Sequence, residues 1–194
     1  MTARTLPSDR RWALLEAADR VVQRDGPAAS MNAIAAEAGI TKPILYRHFG
    51  DKAGLYRALA SRYIDELRVR LQAALLTRGG LEVRTRATIG AYLASIEERP
   101  QVYRFLIQRA AVEVPDVRGQ VEGFVRRFGD ELAAGLRHEA VLGGIDPMRA
   151  TVWAQGIAGM VQAAGDWWLD QPAIPRDVVA EQLTALVMNG LSAD

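Results

Sequence analysis

The sequence predicts an all-α protein in which a small N-terminal head of three helices, containing a helix-turn-helix, is joined by one long helix to a larger helical body. Three observations predict it. Apolar residues recur at i, i+3 and i+4 through most segments, glycines and prolines fall between those segments, and no stretch alternates apolar and polar as a half-buried strand does. No segment repeats. A chain of 194 residues suits a head of about 50 residues on a larger body. Its content, 49% hydrophobic and 24% charged, is ordinary for a globular chain and argues against disorder.

The first helix is expected from the Ser8 cap to Asp25, with Leu14, Leu15, Ala18, Val21 and Val22 as its apolar stripe and Gly26-Pro27 as its stop. Arg4, in the arm before it, could reach an adjacent minor groove, but a frayed, solvated terminus is the simpler reading. Ser30 can cap a second helix from Met31 to Ala38, because its hydroxyl can accept from a free N–H of the first turn. Gly39 can close that helix in the left-handed conformation, with Ile40 packing back on the last turn. Thr41 reads as the next cap, with Lys42 and Pro43 in the first turn of a third helix ending near His48. Two short helices joined by a glycine-containing turn form a helix-turn-helix, whose second helix enters the DNA major groove. Ile34, Ala35 and Ala38 on one helix should pack on Leu45 and Phe49 of the other. Lys42, Pro43, Ile44, Tyr46, Arg47 and His48 then lie on or beside the exposed face. Lys42 and Arg47 can donate to guanine or phosphate, Pro43 and Ile44 can touch thymine methyls, and Tyr46 and His48 can donate to phosphate.

Asp51 caps a long helix from Lys52 to about Thr77, whose stripe of Leu55, Leu59, Tyr63, Leu67, Leu71 and Leu75 repeats every four residues. Arg78-Gly79-Gly80 breaks it. Further helices are expected over about 82–98, ended by Pro100; 101–114, ended by Pro115; 116–142, closed by Gly143-Gly144; 147–170; and 176–189. Asp146 caps the first turn of the fourth of these.

Charge is skewed along the chain. The formal net charge is +1, yet residues 1–58 carry nine basic and six acidic side chains, leaving the remainder near −2. The only two lysines, Lys42 and Lys52, fall in or just after the motif. No apolar run approaches the length that spans a bilayer and the first residues lack the apolar core of a signal peptide, so no membrane and a cytoplasmic location are expected. Having no cysteine excludes disulfides, thiol catalysis and cysteine-ligated zinc.

Gly26, Ser30, Ile34-Ala35, Ala38-Gly39-Ile40-Thr41, Leu45-Tyr46, His48-Phe49 and Lys52 resemble the DNA-binding domain of the TetR family of bacterial transcriptional regulators, over about residues 10–60. That resemblance implies a DNA-binding domain over 8–54 and a helical ligand-binding and dimerisation domain over 55–194. It also implies a homodimer, with a small molecule in the larger domain releasing the protein from its operator. Carried over by position, Thr41, Lys42, Pro43, Ile44, Tyr46, Arg47, His48 and Lys52 are the expected DNA-binding residues, with Ser30 and Asn32 at phosphates. Met31 and Asn32 depart from the threonine or charged residue common in the family.

In the body, residues 150–169 are apolar nearly all round and rich in small residues. Gly156, Gly159 and Ala163 share one face that would admit another helix closely. With Trp153 and with Leu183, Leu186 and Val187 of the last helix, they are the expected dimer interface, against the plainer reading of a buried helix in one protomer. Pocket candidates are Tyr63, Tyr92, Tyr103, Leu106, Phe124, Phe128, Ile157, Met160 and Trp167, whose character points to a hydrophobic small-molecule ligand. The plainer reading of any one of them is core. Arg104, Gln108 and Glu113 could orient a polar group or simply be a solvated face. His48 and His138 lie far apart, His138-Glu139 does not match the paired-histidine zinc pattern, and no glycine-rich phosphate loop follows a strand, so no catalysis, metal or cofactor is expected. The sequence therefore reads as a double-stranded DNA-binding regulator, as a repressor released from a palindromic operator by a hydrophobic ligand. The rival is a regulator with no small-molecule effector, controlled by a partner protein or constitutive.

Overall fold

Ser30 has extended backbone, and its Oγ accepts from the Ala33 N–H at 3.1 Å, so the second helix starts at Met31. The same logic recurs at Asp51, whose Oδ1 accepts from the Gly54 N–H at 2.6 Å, and at Asp146, which accepts from the Met148 N–H at 2.9 Å. The computed structural model describes the backbone of residues 7–143 and 146–191. Over them it shows α1 Pro7–Asp25, a 3-10 turn Gly26–Ala28, α2 Met31–Glu37, α3 Lys42–Phe49, α4 Lys52–Leu75 and α5 Leu81–Glu98. Then come α6 over 100–113, α7 Pro115–Gly143, α8 Pro147–Trp168 and α9 Arg176–Leu191. No strand occurs among the described residues. No helix of the described residues is long and apolar enough to cross a membrane. The expected Ser8 cap, the Arg4 arm and His138 lie outside the described side chains.

Two boundaries of the helix-turn-helix depend on positive-φ backbone. Gly39 closes α2 at φ 64° and Gly50 separates α3 from α4 at φ 83°, both in the region that costs other residues a clash with Cβ. The Ile40 N–H donates to the Ala35 carbonyl at 3.0 Å, the backward bond that a glycine closure brings. The helix over 100–113 is less regular than its periodicity suggests. It runs as α-helix over Pro100–Arg104 and Ala111–Glu113, with a π-helical stretch, Phe105–Ala110, between them. One residue more per turn there rotates everything after it relative to a regular helix.

The chain packs as two compact units that do not follow a single cut in the sequence. The first takes residues 1–64 and 99–121, the second 65–98 and 122–194. In the first, α1, α2, α3 and the start of α4 enclose a core of Leu14, Val21, Val22, Ile34, Leu45, Leu55 and Leu59. Val102, Phe105, Leu106, Ala110, Val114 and Val117, far along the chain, belong to the same core. The Tyr56 and Phe105 rings meet edge to face, with centroids 4.9 Å apart. In the second unit α9 packs on α5, and α8 contacts both. A Cβ at Gly165 of α8 would stand 2.7 Å from the Tyr92 ring of α5, so only glycine allows that approach. Ala133, Leu136, Ala150 and Ala154 join α7 to α8, with Ile157 packed against them.

Candidate nucleic-acid interface

The helix-turn-helix forms as its residue types require. Ile34, Ala35, Leu45 and Phe49 are buried between α2 and α3, a burial that for Leu45 alone stabilises by roughly 2 kcal/mol. That fixes the opposite face of α3 outward. Lys42, Pro43 and Arg47 are exposed and Ile44 and Tyr46 half-buried beside them. Lys42 Nζ stands 5.7 Å from the Tyr46 ring centroid, so the ring and the cation hold one another at the N-terminal end of the recognition helix. Arg11 of α1 caps the Phe49 ring at 4.8 Å.

Several expected contacts are placed differently from a simple row of donors. Ser30 spends its hydroxyl on the α2 cap, while Asn32 is exposed. Thr41 has cap backbone geometry but its hydroxyl makes no capping bond. Pro43 removes the donor of the second helical position, and the Ile44 N–H already donates to the Thr41 carbonyl, leaving the exposed hydroxyl unused within the helix. His48 is half-buried, and its Nε2 is enclosed without a hydrogen-bond partner, so the expected phosphate donation does not hold for that nitrogen. Lys52 is ion-paired to Glu113, at 2.5 Å, rather than free at the surface. The carboxylate holds the Lys52 pKa above its ordinary value, and Lys52 in turn holds Glu113 below its own.

Residues beyond the motif fasten it. Arg109 of α6 donates to the backbone carbonyls of Pro27 and, at 2.7 Å, Ala29, just ahead of α2. Its Nε donates to Glu113 at 3.1 Å. Arg57 pairs with Asp116 at 2.8 Å, and Gln120 donates to Ser61 at 3.0 Å. Asp19 of α1, buried, accepts from Arg99 at 2.6 Å and from the Tyr63 hydroxyl, and the Arg99 guanidinium lies 5.1 Å from the Tyr63 ring centroid. Sequence spacing offered little sign of most of these partners: apart from Arg109 and Glu113, one helical turn apart, each hydrogen-bonded or ion-paired mate lies more than 40 residues away.

The other candidates divide between the units. Tyr63, Tyr103 and Leu106 belong to the first, with Tyr63 committed to Asp19. Tyr92, Phe124, Phe128, Ile157 and Met160 belong to the second. Phe124 and Phe128 stack along α7, 6.1 Å between centroids. Trp167, expected in the pocket, is 56% exposed and falls on one uncovered stripe of α8 with Val152, Gly156, Gly159 and Ala163. The neighbouring Trp168 is the buried indole, donating from Nε1 to the Ile174 carbonyl at 2.8 Å. Trp153 is half-buried under Arg149, 4.7 Å from the ring centroid. On α9, Leu186 is exposed and Leu183 half-buried, but Val187 is buried inside the protomer and offers no surface to a second copy.

A recognition helix held outward against the buried face of a second short helix, with cations on its free face, defines a helix-turn-helix DNA-binding protein. The comparisons agree at the level of family. Bacterial regulatory proteins of the tetR family match residues 14–59, and the tetracyclin repressor-like C-terminal domain matches residues 67–194. The HTH-type transcriptional activator FasR of Mycolicibacterium smegmatis is 34% identical over 191 residues, 96% of this chain and 85% of that protein. A tetR-family regulator from Streptomyces coelicolor superposes with a TM-score of 0.74 at 25% identity, over 93% of this chain and 79% of that one. A TetR-like regulator from Rhodococcus shares the fold at 0.72 and 23%, covering 98% of this chain and 100% of that one. The chain belongs to the TetR family and is a DNA-binding transcriptional regulator, not an enzyme.

Proposed function

We propose that this regulator binds a twofold-symmetric operator as a homodimer and is released from it by a hydrophobic small molecule held in the helical body. The observation that carries the DNA step is the exposed Lys42, Pro43 and Arg47 face of α3, fixed by burial of Leu45 and Phe49 behind it. Lys42, Tyr46 and Arg47 read the operator, Pro43 and Ile44 meet thymine methyls, and Asn32 and Thr41 approach phosphates. In a dimer, two recognition helices would enter successive major grooves about 34–36 Å apart, a spacing that a twofold-symmetric operator supplies. The apolar stripe Val152, Gly156, Gly159, Ala163 and Trp167, with Leu183 and Leu186, supports the dimer contact. The aromatic and aliphatic set Tyr92, Phe124, Phe128, Ile157 and Met160 supports a hydrophobic ligand.

Fluorescence anisotropy on the protein's own promoter DNA, repeated with a panel of hydrophobic compounds, tests the proposal. Salt-sensitive binding released by one class of compound supports it; binding that nothing in the panel disturbs moves the reading to a partner-controlled or constitutive regulator. A second sign of regulation is favoured by one observation, the activator name of the 34% identical relative. Transcription from the promoter with and without protein separates repression from activation, since both begin with the same binding step.

Lys42→Ala and Tyr46→Ala are expected to weaken operator binding on the order of 100-fold or more, because a DNA contact of about 1–3 kcal/mol is lost in both half-sites. An unchanged gel shift would remove these residues from the interface. Gly159→Arg puts a charged side chain into the uncovered stripe and is expected to yield monomers by sedimentation. A dimer of unchanged mass would place the interface elsewhere.

A further inference from the structure

The ion pair between Lys52 and Glu113 joins the residue that opens α4, directly after the recognition helix, to the end of α6, 61 positions away. Lys52 Nζ also stands 5.3 Å from the Tyr56 ring centroid, and the side chains of Lys52 and Glu113 are 40% and 37% exposed. A phosphate could therefore reach the ammonium, but it would meet the carboxylate there. Glu113 has little freedom to swing aside, because its other oxygen accepts from Arg109 Nε at 3.1 Å. Arg109 in turn is anchored on the Pro27 and Ala29 carbonyls. The carboxylate thus sits fixed beside the ammonium of the residue that opens α4.

We propose that Glu113 acts as a brake on DNA binding: held in place by Arg109, it competes with a DNA phosphate for Lys52. Two like charges sharing one ammonium cost free energy, so the protein binds its operator less tightly than its surface cations allow. Arg109 is a positioning residue in this scheme and Glu113 sets the affinity. The proposal rests on Lys52 being a phosphate contact.

The test is anisotropy of the full chain on its own promoter DNA across a range of salt concentrations, for wild type, Glu113→Gln, Lys52→Gln and the double variant. Glu113→Gln keeps the size of the side chain and removes its charge. It should bind on the order of tenfold more tightly at low salt, and the slope of log affinity against log salt should steepen by about 0.9 per protomer as one further phosphate is neutralised. Adding Lys52→Gln should cancel both changes. If Glu113→Gln leaves the slope unchanged or weakens binding, the carboxylate is only a structural partner and the brake is overturned. If that happens while Lys52→Gln alone weakens binding, Lys52 remains a phosphate contact. If neither variant moves affinity or slope, the assignment of Lys52 to phosphate fails, and the brake with it. Thermal melting of each variant shows whether a loss of affinity comes from unfolding.

Discussion

Gly54→Ala is expected to lose both stability and operator binding, although alanine is the better helix former and position 54 lies in the first turn of α4. A Cβ on Gly54 would overlap the carbonyl oxygen of Phe49 and approach its carbonyl carbon to 3.0 Å, and that backbone belongs to the end of the recognition helix. Backbone cannot rotate away as a flexible side chain can. Either α4 shifts back, breaking the 2.6 Å bond between the Gly54 N–H and Asp51, or the last turn of α3 moves. Overpacking of this kind costs about 1–3 kcal/mol, and moving α3 misplaces Lys42, Tyr46 and Arg47 together, so affinity should fall further than stability. Gly119→Ala is the control. Nothing lies within 4 Å of a Cβ there, and in the interior of α7 that change should stabilise by about 0.5–1 kcal/mol. Equal melting temperatures and equal affinities for Gly54→Ala and wild type would contradict the close approach.

Asp19→Ala is expected to be the most destabilising single truncation outside the apolar core. The carboxylate is buried and accepts from three donors: Arg99 at 2.6 Å, the Tyr63 hydroxyl and, at 3.2 Å, Gln23. Burial first, and then the bond to Asp19, push the Tyr63 hydroxyl above the ordinary phenol range, so it remains a protonated donor at any physiological pH. Alanine leaves that hydroxyl enclosed without its acceptor and removes the carboxylate that accepts from Arg99 at 2.6 Å. Breaking a buried pair costs about 3–5 kcal/mol, and because the Arg99 side chain keeps 26% of its exposure, about 2–3 kcal/mol is expected here. For a chain of this length that lowers the melting temperature by roughly 5–10 °C. Asp19→Asn keeps an acceptor for Tyr63 and should lose less. A shift under 2 °C for Asp19→Ala would show that water replaces the carboxylate.

Much of the fold was legible because its signals are local. A cap, its first turn and its apolar spacing lie within a few residues, so Ser30, Gly39, Asp51 and the stripe of α4 announce their elements within the stretch that forms them. The outward face of α3 was legible for the same reason, since burying Leu45 and Phe49 leaves only one direction for Lys42 and Arg47. The π-helical stretch Phe105–Ala110 was not, because the same residues have an ordinary helical period. Nor was the difference between Trp167 and Trp168, adjacent indoles of equal hydrophobicity, of which only the second meets the Ile174 carbonyl.

The sequence by itself determined closely where most helices begin and end, that two of them form a helix-turn-helix, and that the second presents Lys42, Pro43 and Arg47. Capping, glycine closure and helical period act over distances shorter than one turn or two, so residue order contains them. Tertiary structure alone decided that Arg99, Arg109 and Glu113, from the middle of the chain, are bonded to the DNA-binding head, and that Lys52 is paired before any phosphate arrives. Those pairings join residues tens of positions apart, and a charge finds its partner through the space the packed helices leave, which no local pattern records.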